Sequence, residues 1–396
     1  EPVLQIVPPG EDAGRGREHD HVVGEVDEDR GGESVGEHQV EEVLQFFYLT
    51  GILPLMPLRS YKFRLRPTKK QEARLGVWLD GCRELYNACL QERRDHWQKA
   101  GISISLNEQK KELPAVKEAR PDIAEINAAV LQDVVHRVDA AFLGFFRRVK
   151  QGAKAPGYPR FKSYKHYESF THPQAGKASW DERAIRIPCF GHVKWVPWKS
   201  LDEIGKPKTL TIKREADGWY VILACEVEAP MPLPATGTQV GIDVGLKNLV
   251  TTSDGQVLGD LEPLKRAEAK LRKAQRNVSR KTKGSNRRKK AVLILAQRSQ
   301  DLARSRKAQL DVISRKLVRE NDVIVREDLA VQQLINLGGK NAQGKGIRRN
   351  WRHAAVATLC KRIDYKAESA GRRSFGVDPR GTTIDCSGCG EPVPKT

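Results

Sequence analysis

Long apolar runs are missing from this chain of 396 residues. The longest, Val43 to Leu58, carries Pro54 and Pro57 and falls short of the roughly 18 residues that a membrane-spanning helix needs. No Lys/Arg-led stretch precedes it, so no secretory signal is expected. Cysteine is sparse as well, and seven residues at irregular spacing do not read as a disulfide framework. Methionine is scarcer still, with two in the chain and the first at position 56. These absences point to an intracellular, reduced protein of the cytoplasm with no membrane partner.

Positive charge is what the chain has in excess. Lys and Arg total 69 against 50 Asp and Glu, a net charge of +19 with a pI near 9.6. With 39% hydrophobic residues there is material for a core and for two or three domains. The usual partner of such a basic protein is nucleic acid. The charge is unevenly divided. Residues 1–55 hold 13 acids and 3 bases, a balance of −10, and the remainder holds 66 bases and 37 acids, a balance of +29. The acidic leader shows no sustained period of 2 or 3.6 and has little aromatic content before Phe46. Met56 stands directly before a strand-like segment, so the working protein is expected to begin there, with residues 1–55 as non-native upstream sequence. The alternative is a disordered acidic tail that shields a basic surface.

Past Met56 the pattern predicts an α+β multidomain protein. Residues 70–150 read as helical. Leu75, Trp78, Leu79, Cys82 and Leu85-Tyr86 recur at helical spacing, with Thr68 as cap. A second amphipathic stretch runs from Ile123 to Val149. Cys82 and Cys89 are expected to serve packing. Residues 56–69 and 151–234 read as short strands separated by turns such as Asp217-Gly218, as in a small barrel or sandwich. A Pro-rich linker, Ala229 to Pro234, closes this part.

At the junction, Pro156 to Phe170 interleaves Tyr158, Phe161, Tyr164, Tyr167 and Phe170 with Arg160, Lys162 and Lys165. Rings that stack on bases beside cations that meet phosphates suit single-strand or RNA contact. Equally, these rings fit the core of the first strands. The densest basic stretch is residues 265–320, with 20 Lys/Arg against four acids. It is helical on both sides of a break at Thr282–Asn286, which predicts a hairpin over 261–320. Arg272, Lys273, Arg276, Arg280, Lys281, Lys283, Arg287 and Arg288 are its candidate phosphate contacts.

Candidate chemistry follows the linker. Thr238 to Lys247 reads as a strand with Val240, Ile242 and Val244 on one face and Gly241, Asp243 and Gly245 on the other. A mid-strand carboxylate is costly to bury without a cation, and the glycines leave room for a ligand. A metal-binding Asp243 is preferred to a hydrogen-bonded structural one. The strand Val323–Val325 then delivers Glu327 and Asp328 at its C-terminal end, where ligands collect in parallel sheets. Asp328 suits a helix cap, leaving Glu327 as the ligand. Acids on adjacent strand ends can hold Mg²⁺ for in-line phosphodiester hydrolysis. Cys386-x-x-Cys389 reads as half of a zinc ribbon. Gly339 to Lys345 nearly matches a phosphate-binding loop, but Gly346 replaces the required Ser/Thr.

In order along residues 56–396, these features resemble the TnpB (OrfB) family of insertion-sequence RNA-guided DNA endonucleases, related to compact type V CRISPR effectors. The resemblance rests on Tyr61 to Thr68, Pro156 to Lys162, Gly241 to Gly245, Val325 to Leu329, Tyr365 to Glu368, and Val377 to Thr382 with Cys386 and Cys389. It implies a helical recognition insert over 70–150 and a wedge β-barrel from 56–69 plus 151–234. It further implies a RuvC-like nuclease of RNase H fold over 238–385 and the first half of a zinc ribbon over 386–396. By the same resemblance Asp243 and Glu327 bind catalytic Mg²⁺, and Cys386 and Cys389 bind structural Zn²⁺. A guide RNA, a double-stranded DNA target and a transposase from the same element are the implied partners, on the nucleoid of a prokaryotic cell. Family members carry a second cysteine pair and a third catalytic Asp farther on, so the chain resembles a C-terminally truncated member with weak cleavage or none. The competing expectation is a non-cleaving, RNA-guided DNA-binding regulator of transposition.

Overall fold

A computed structural model describes residues 57–228, 230–245, 248–260, 262–329 and 355–378. The acidic segment 1–55, the Gly/Lys-rich stretch after Gly338 and the Cys386/Cys389 pair lie outside the described residues. Strand β1 (Leu58–Arg66) alternates buried Tyr61, Phe63 and Leu65 with outward Lys62 and Arg64. Helix α1 (Lys69–Ala100) starts on a capping box in which Thr68 and Gln71 bond each other's backbone, and ends at left-handed Gly101. Its buried stripe is the one the spacing predicts, with Cys82 and Cys89 inside it. Burial pushes both thiols up to about 12, which leaves them inert at neutral pH.

Three short helices follow, α2 (Leu106–Lys111), α3 (Leu113–Ala119) and α4 (Pro121–Ala124), before the long α5 (Ala128–Lys150). The stretch expected to be one helix from Ile123 is therefore broken. Asn127 caps α5, its side-chain oxygen accepting from the Ala129 N–H at 2.8 Å. Ile123 and Ile126 remain buried because both dock on Gly81 of α1, where a Cβ would stand 3.2–3.3 Å from them. Arg93 ties the group together from a buried position, donating to Gln109 at 2.8 Å and Asp139 at 2.9 Å.

Six more strands complete the first sheet: β2 (Ser169–His172), β3 (Ser179–Trp180), β4 (Ala184–Ile187), β5 (Gly191–Val196), β6 (Lys206–Glu215) and β7 (Gly218–Glu226). The order is β2-β6-β7-β1-β5-β4-β3, antiparallel throughout. Here the expected barrel is corrected, because among the described residues the end strands β2 and β3 do not pair and no closed barrel forms. A helix closes the core instead. The Trp78 indole of α1 packs 5.9 Å from the Phe170 ring on β2 and 5.4 Å from Phe190 between β4 and β5. A half-buried alternating pattern specifies a sheet with one wet face, and what covers the other face is settled by such long-range contacts.

The second sheet contains β8 (Gln239–Asp243), β9 (Val250–Thr252), β10 (Val257–Leu258), β11 (Val323–Glu327) and β12 (Arg373–Val377). Between β10 and β11 lies the helical hairpin α6 (Glu262–Ser279) and α7 (Asn286–Glu320), and α8 (Val356–Ser369) precedes β12. The order is β10-β9-β8-β11-β12, with β9 antiparallel to its neighbours and β8, β11 and β12 mutually parallel. Val240, Ile242 and Ile324 pack on Leu310, Ile313 and Leu317 of α7 and on Leu359 and Ile363 of α8. Asp311 of α7 takes Arg362 and Lys366 of α8, and Lys366 also donates to buried Ser314 at 2.7 Å. Among the described residues no helix is long and apolar enough to cross a membrane.

One core residue titrates. His172 on β2 is buried beside Trp78 and Phe170, and burial lowers its pKa to about 4. Between pH 6.5 and about 4 the unfolded chain takes up a proton that the folded core refuses, so stability falls as pH drops through that window. The loss levels off at the lower end, at about 3 kcal/mol. His172→Phe should flatten this dependence, as measured by urea denaturation midpoints between neutral and mildly acidic pH.

Candidate functional site

Strand β8 buries Val240 and Ile242 against α7 and α8 and ends at Asp243, whose side chain is exposed. In the parallel register Val323 pairs with Gln239 and Arg326 with Ile242, so the next step sets Glu327 beside Asp243. Neighbouring strands lie about 4.8 Å apart, and equal register puts both carboxyl groups on the same face. Glu327 is half-buried and engaged by neighbouring groups, with Val377 of β12 on its other side. The two acids singled out in the sequence therefore meet at the C-terminal edge of the sheet.

Two details differ from the sequence reading. Asp243 is strand-terminal and exposed, so no buried cation is needed to hold it. The flanking glycines admit chain, not ligand. Gly241 donates to the Ser253 hydroxyl at 3.1 Å, and a Cβ there would touch the Ser253 side chain. A Cβ at Gly245 would stand 3.1 Å from the Asn248 carbonyl. As for Asp328, its N–H donates to the Val377 carbonyl at 2.8 Å, and any helix beyond it lies outside the described residues.

Asp322, which the sequence reading passed over, holds the register. Its carboxylate accepts from the Thr236 N–H at 2.9 Å, the Thr236 hydroxyl at 2.9 Å and the Gly237 N–H at 2.7 Å, all at the entrance to β8. It also accepts from Arg372, a buried guanidinium at the entrance to β12 whose other arm donates to the Pro234 carbonyl at 2.5 Å. The Thr236 and Gly237 amides hold the Asp322 carboxyl below its ordinary pKa. At the far end of β11, Arg326 donates to both Asp364 oxygens at 2.8 Å, and the Ser374 hydroxyl donates to the same carboxylate at 2.9 Å. Asp364 is thereby spent on strand alignment.

Asp243 and Glu327 offer hard oxygen donors with an open side, which suits Mg²⁺ that keeps several waters. Among the described residues no group of three or more His, Cys, Asp or Glu converges as a metal cage. The Cys386/Cys389 pair lies outside the described residues.

The basic hairpin forms a groove. Lys270, Lys273 and Arg276 follow one face of α6 and, with Arg280 just past its end, meet Arg298 of α7 over Ala274 and Ile294, around a cavity of about 750 Å³ with no acid in its lining. Five of the eight predicted hairpin contacts stand elsewhere. Arg272 lies 3.7 Å from Glu268, Arg288 donates to the Val278 carbonyl at 3.1 Å, and Lys283 and Arg287 are exposed around the turn. Lys281 is half-buried at that turn. Lys270 was legible in the period-3 spacing of cations, whereas Arg298 enters only once the hairpin folds back.

The hairpin is fixed to the first sheet by Arg304. Its guanidinium donates to Asp217 at 2.8 Å, Glu215 at 3.0 Å and the Tyr220 hydroxyl at 2.8 Å. Lys62 and Gln300 complete the shell of Glu215. Burial alone would raise the pKa of Asp217, but hydrogen bonds from Arg304 and Tyr220 outweigh it and hold the carboxyl at about 2.

At the junction the rings divide. Tyr167 and Phe170 are core, whereas Tyr158, Phe161 and Tyr164 are exposed. Tyr164 is covered on one face by Arg214 at 4.1 Å. Arg160 and Lys165 are exposed, and Lys162 is half-buried with its Nζ 5.9 Å from the Tyr86 ring.

Comparison with known proteins finds relatives along most of the chain. A "Probable transposase" family profile matches residues 222–337 and a "Helix-turn-helix domain" profile matches residues 56–101, which here fold as β1 and α1. The chain is 32% identical over 324 residues to a "Putative RNA-guided DNA endonuclease" of Streptomyces pristinaespiralis, covering 81% of this chain and 77% of that protein. It is 25% identical over 344 residues to the "Putative RNA-guided DNA endonuclease InsQ" of Escherichia coli (strain K12), covering 84% and 83%. Among solved structures, a chain of the cryo-EM structure of the Cas12f1-sgRNA-target DNA complex superposes with a TM-score of 0.51 at 14% identity, covering 82% of this chain and 76% of that one. That match is one of fold.

Two outcomes are expected from this geometry. Asp322→Ala leaves Arg372 buried without its carboxylate, so the urea midpoint should drop; adding Arg372→Met should recover part of the loss, as a double-mutant cycle would register. Replacing Lys273, Arg276 and Arg280 with Ala should reduce the slope of log affinity against log salt for a single-stranded oligonucleotide by about 2.

Proposed function

The chain belongs to the TnpB (OrfB) family, and from that premise we propose that it is an RNA-guided DNA endonuclease whose second sheet is a RuvC-like nuclease of RNase H fold. The observation that carries the reading is the juxtaposition of Asp243 and Glu327 at the ends of adjacent parallel strands. The strand order β10-β9-β8-β11-β12, with β9 antiparallel to its neighbours, supports the RNase H assignment.

Asp243 and Glu327 would hold Mg²⁺. Bound there, the metal supplies an activated water and countercharge for the leaving oxygen. Everything else falls to the chain. Asp243, exposed at the sheet edge, leaves an approach for a phosphodiester. Glu327 is kept on the same face by the Asp322 clamp below and the Arg326–Asp364 pair behind it. The groove of Lys270, Lys273, Arg276, Arg280 and Arg298 neutralises phosphates of the guide or target strands without reading sequence. Sequence is then read by guide pairing, as in RNA-guided effectors generally.

The test combines this chain, its guide RNA and a supercoiled plasmid carrying a matched target in Mg²⁺. Asp243→Asn and Glu327→Gln should each cut the rate by at least about a hundredfold. Affinity for the guide RNA should stay within about twofold, because neither acid takes part in the phosphate contacts. Undiminished cleavage by Asp243→Asn overturns the site. Tight target binding by the unaltered chain with no nick overturns the nuclease reading in favour of a non-cleaving regulator.

A further inference from the structure

We propose that the cleft between α1 and the junction segment, lined by Leu90, Arg94, Tyr158, Pro159, Arg160 and Phe161, seats one unpaired nucleobase, with its flanking phosphates on the two arginines. The proposal deepens the nucleic-acid reading above and rests on it.

Four observations converge. Tyr158 is 45% exposed and Phe161 47%, while Tyr167 and Phe170 of the same segment are buried. The fold therefore takes two rings of this stretch into its core and leaves three in water, of which Tyr164 lies under Arg214 and Tyr158 and Phe161 line the cleft. Those two cannot collapse inward, because the loop that carries them is pinned at both ends. Asn87 of α1 accepts from the Lys162 N–H at 2.8 Å and donates to the Lys162 carbonyl at 2.9 Å. Arg148 of α5 donates to the carbonyls of Pro156 and Gly157, the latter at 3.0 Å. Tyr158 is further braced edge-on by Phe142 and Phe145, at 5.6 and 5.4 Å between ring centres.

Charge and size complete the case. The lining holds Arg94 and Arg160 and no acid, so it favours a ligand that is flat, apolar on its faces and anionic at its edges. The cavity, about 430 Å³, falls within the range of small-ligand sites. A paired base cannot enter, since its faces are already covered by its neighbours in the stack. No amide or carboxylate side chain lines the cleft to read a base edge, so the seat is tolerant of base identity. The ligand chemistry is an unpaired nucleotide, supplied by the guide RNA or by a displaced DNA strand.

Fluorescence anisotropy of the full chain with labelled U12 RNA, dT12 and a duplex tests this. Tyr158→Leu with Phe161→Leu keeps the apolar bulk but removes the aromatic faces. It should weaken single-strand binding about tenfold or more while leaving the salt slope unchanged. Arg94→Ala with Arg160→Ala should instead lower the slope by about 1.4. A loss with U12 alone assigns the seat to the guide, a loss with dT12 alone assigns it to the DNA strand, and both support the proposal. Full affinity of the leucine double variant for both strands overturns the seat, and so does an equal loss on the duplex. Absence of binding by the unaltered chain overturns the nucleic-acid reading itself. Should the double variant misfold, 2-aminopurine within a U-rich strand reads stacking on the unaltered chain. Its fluorescence should be quenched on binding, and undiminished emission overturns the seat.

Discussion

Parallel pairing of β11 with β8 determines whether Asp243 and Glu327 share a face. A parallel pair has no tight turn to fix its register, since its strands are joined by a long crossover, here through α6 and α7. A slip of one residue would turn Glu327 towards α8 and Arg326 towards solvent. Side chains replace the missing turn. Asp322 gathers the amides that open β8 and the guanidinium that opens β12, so three strand entrances are held by one carboxylate. Arg326, near the end of β11, adds a second tie by holding Asp364 of α8, which also accepts from Ser374 near the start of β12. Each carboxylate placed at the sheet edge thus depends on acids that never face substrate.

The same economy runs through the electrostatics. A body with a balance of +29 repels itself, and several of its acids join one element to another. Asp217 and Glu215 receive Arg304, Asp311 receives Arg362 and Lys366, and Asp139 receives Arg93. The hairpin groove and the junction cleft have no acid in their linings, so their only charged groups are cations. Arg304 has a second consequence. It ties the basic hairpin to the β6–β7 turn, so the hairpin and the first sheet keep a fixed relation.

Local signals carried most of what was legible in the sequence. Helix α1, its Thr68 cap, the Asp217-Gly218 turn and the hairpin break before Asn286 depend on residues a few positions apart, and all stand where the pattern predicts. Asp243 was visible as a carboxylate set between glycines in an apolar strand, and Glu327 as an acid delivered at a strand end. Closure of the first sheet was not visible, since a Trp on α1 fills the place a barrel would close. The Asp322 clamp was hidden for the same reason, with partners some 50 and 86 positions away. Nothing local distinguishes such an acid from a solvated one.

The mixed ring-and-cation segment shows where composition ends and geometry begins. Five aromatics at a junction fit a core and a stacking surface equally well, because both need flat apolar groups. What separates them is whether the backbone that carries a ring is fixed independently of the ring. Tyr167 and Phe170 are held by their own burial. Tyr158 and Phe161 are held by Asn87 and Arg148, which bond only the backbone of the loop and leave the exposed ring faces untouched. A ring carried on a pinned backbone has lost the backbone share of its conformational entropy before any ligand arrives, so a base that stacks on it has less to order. That physical condition distinguishes a recognition aromatic from a core aromatic, and it is met in this segment by residues outside the motif that the sequence made visible.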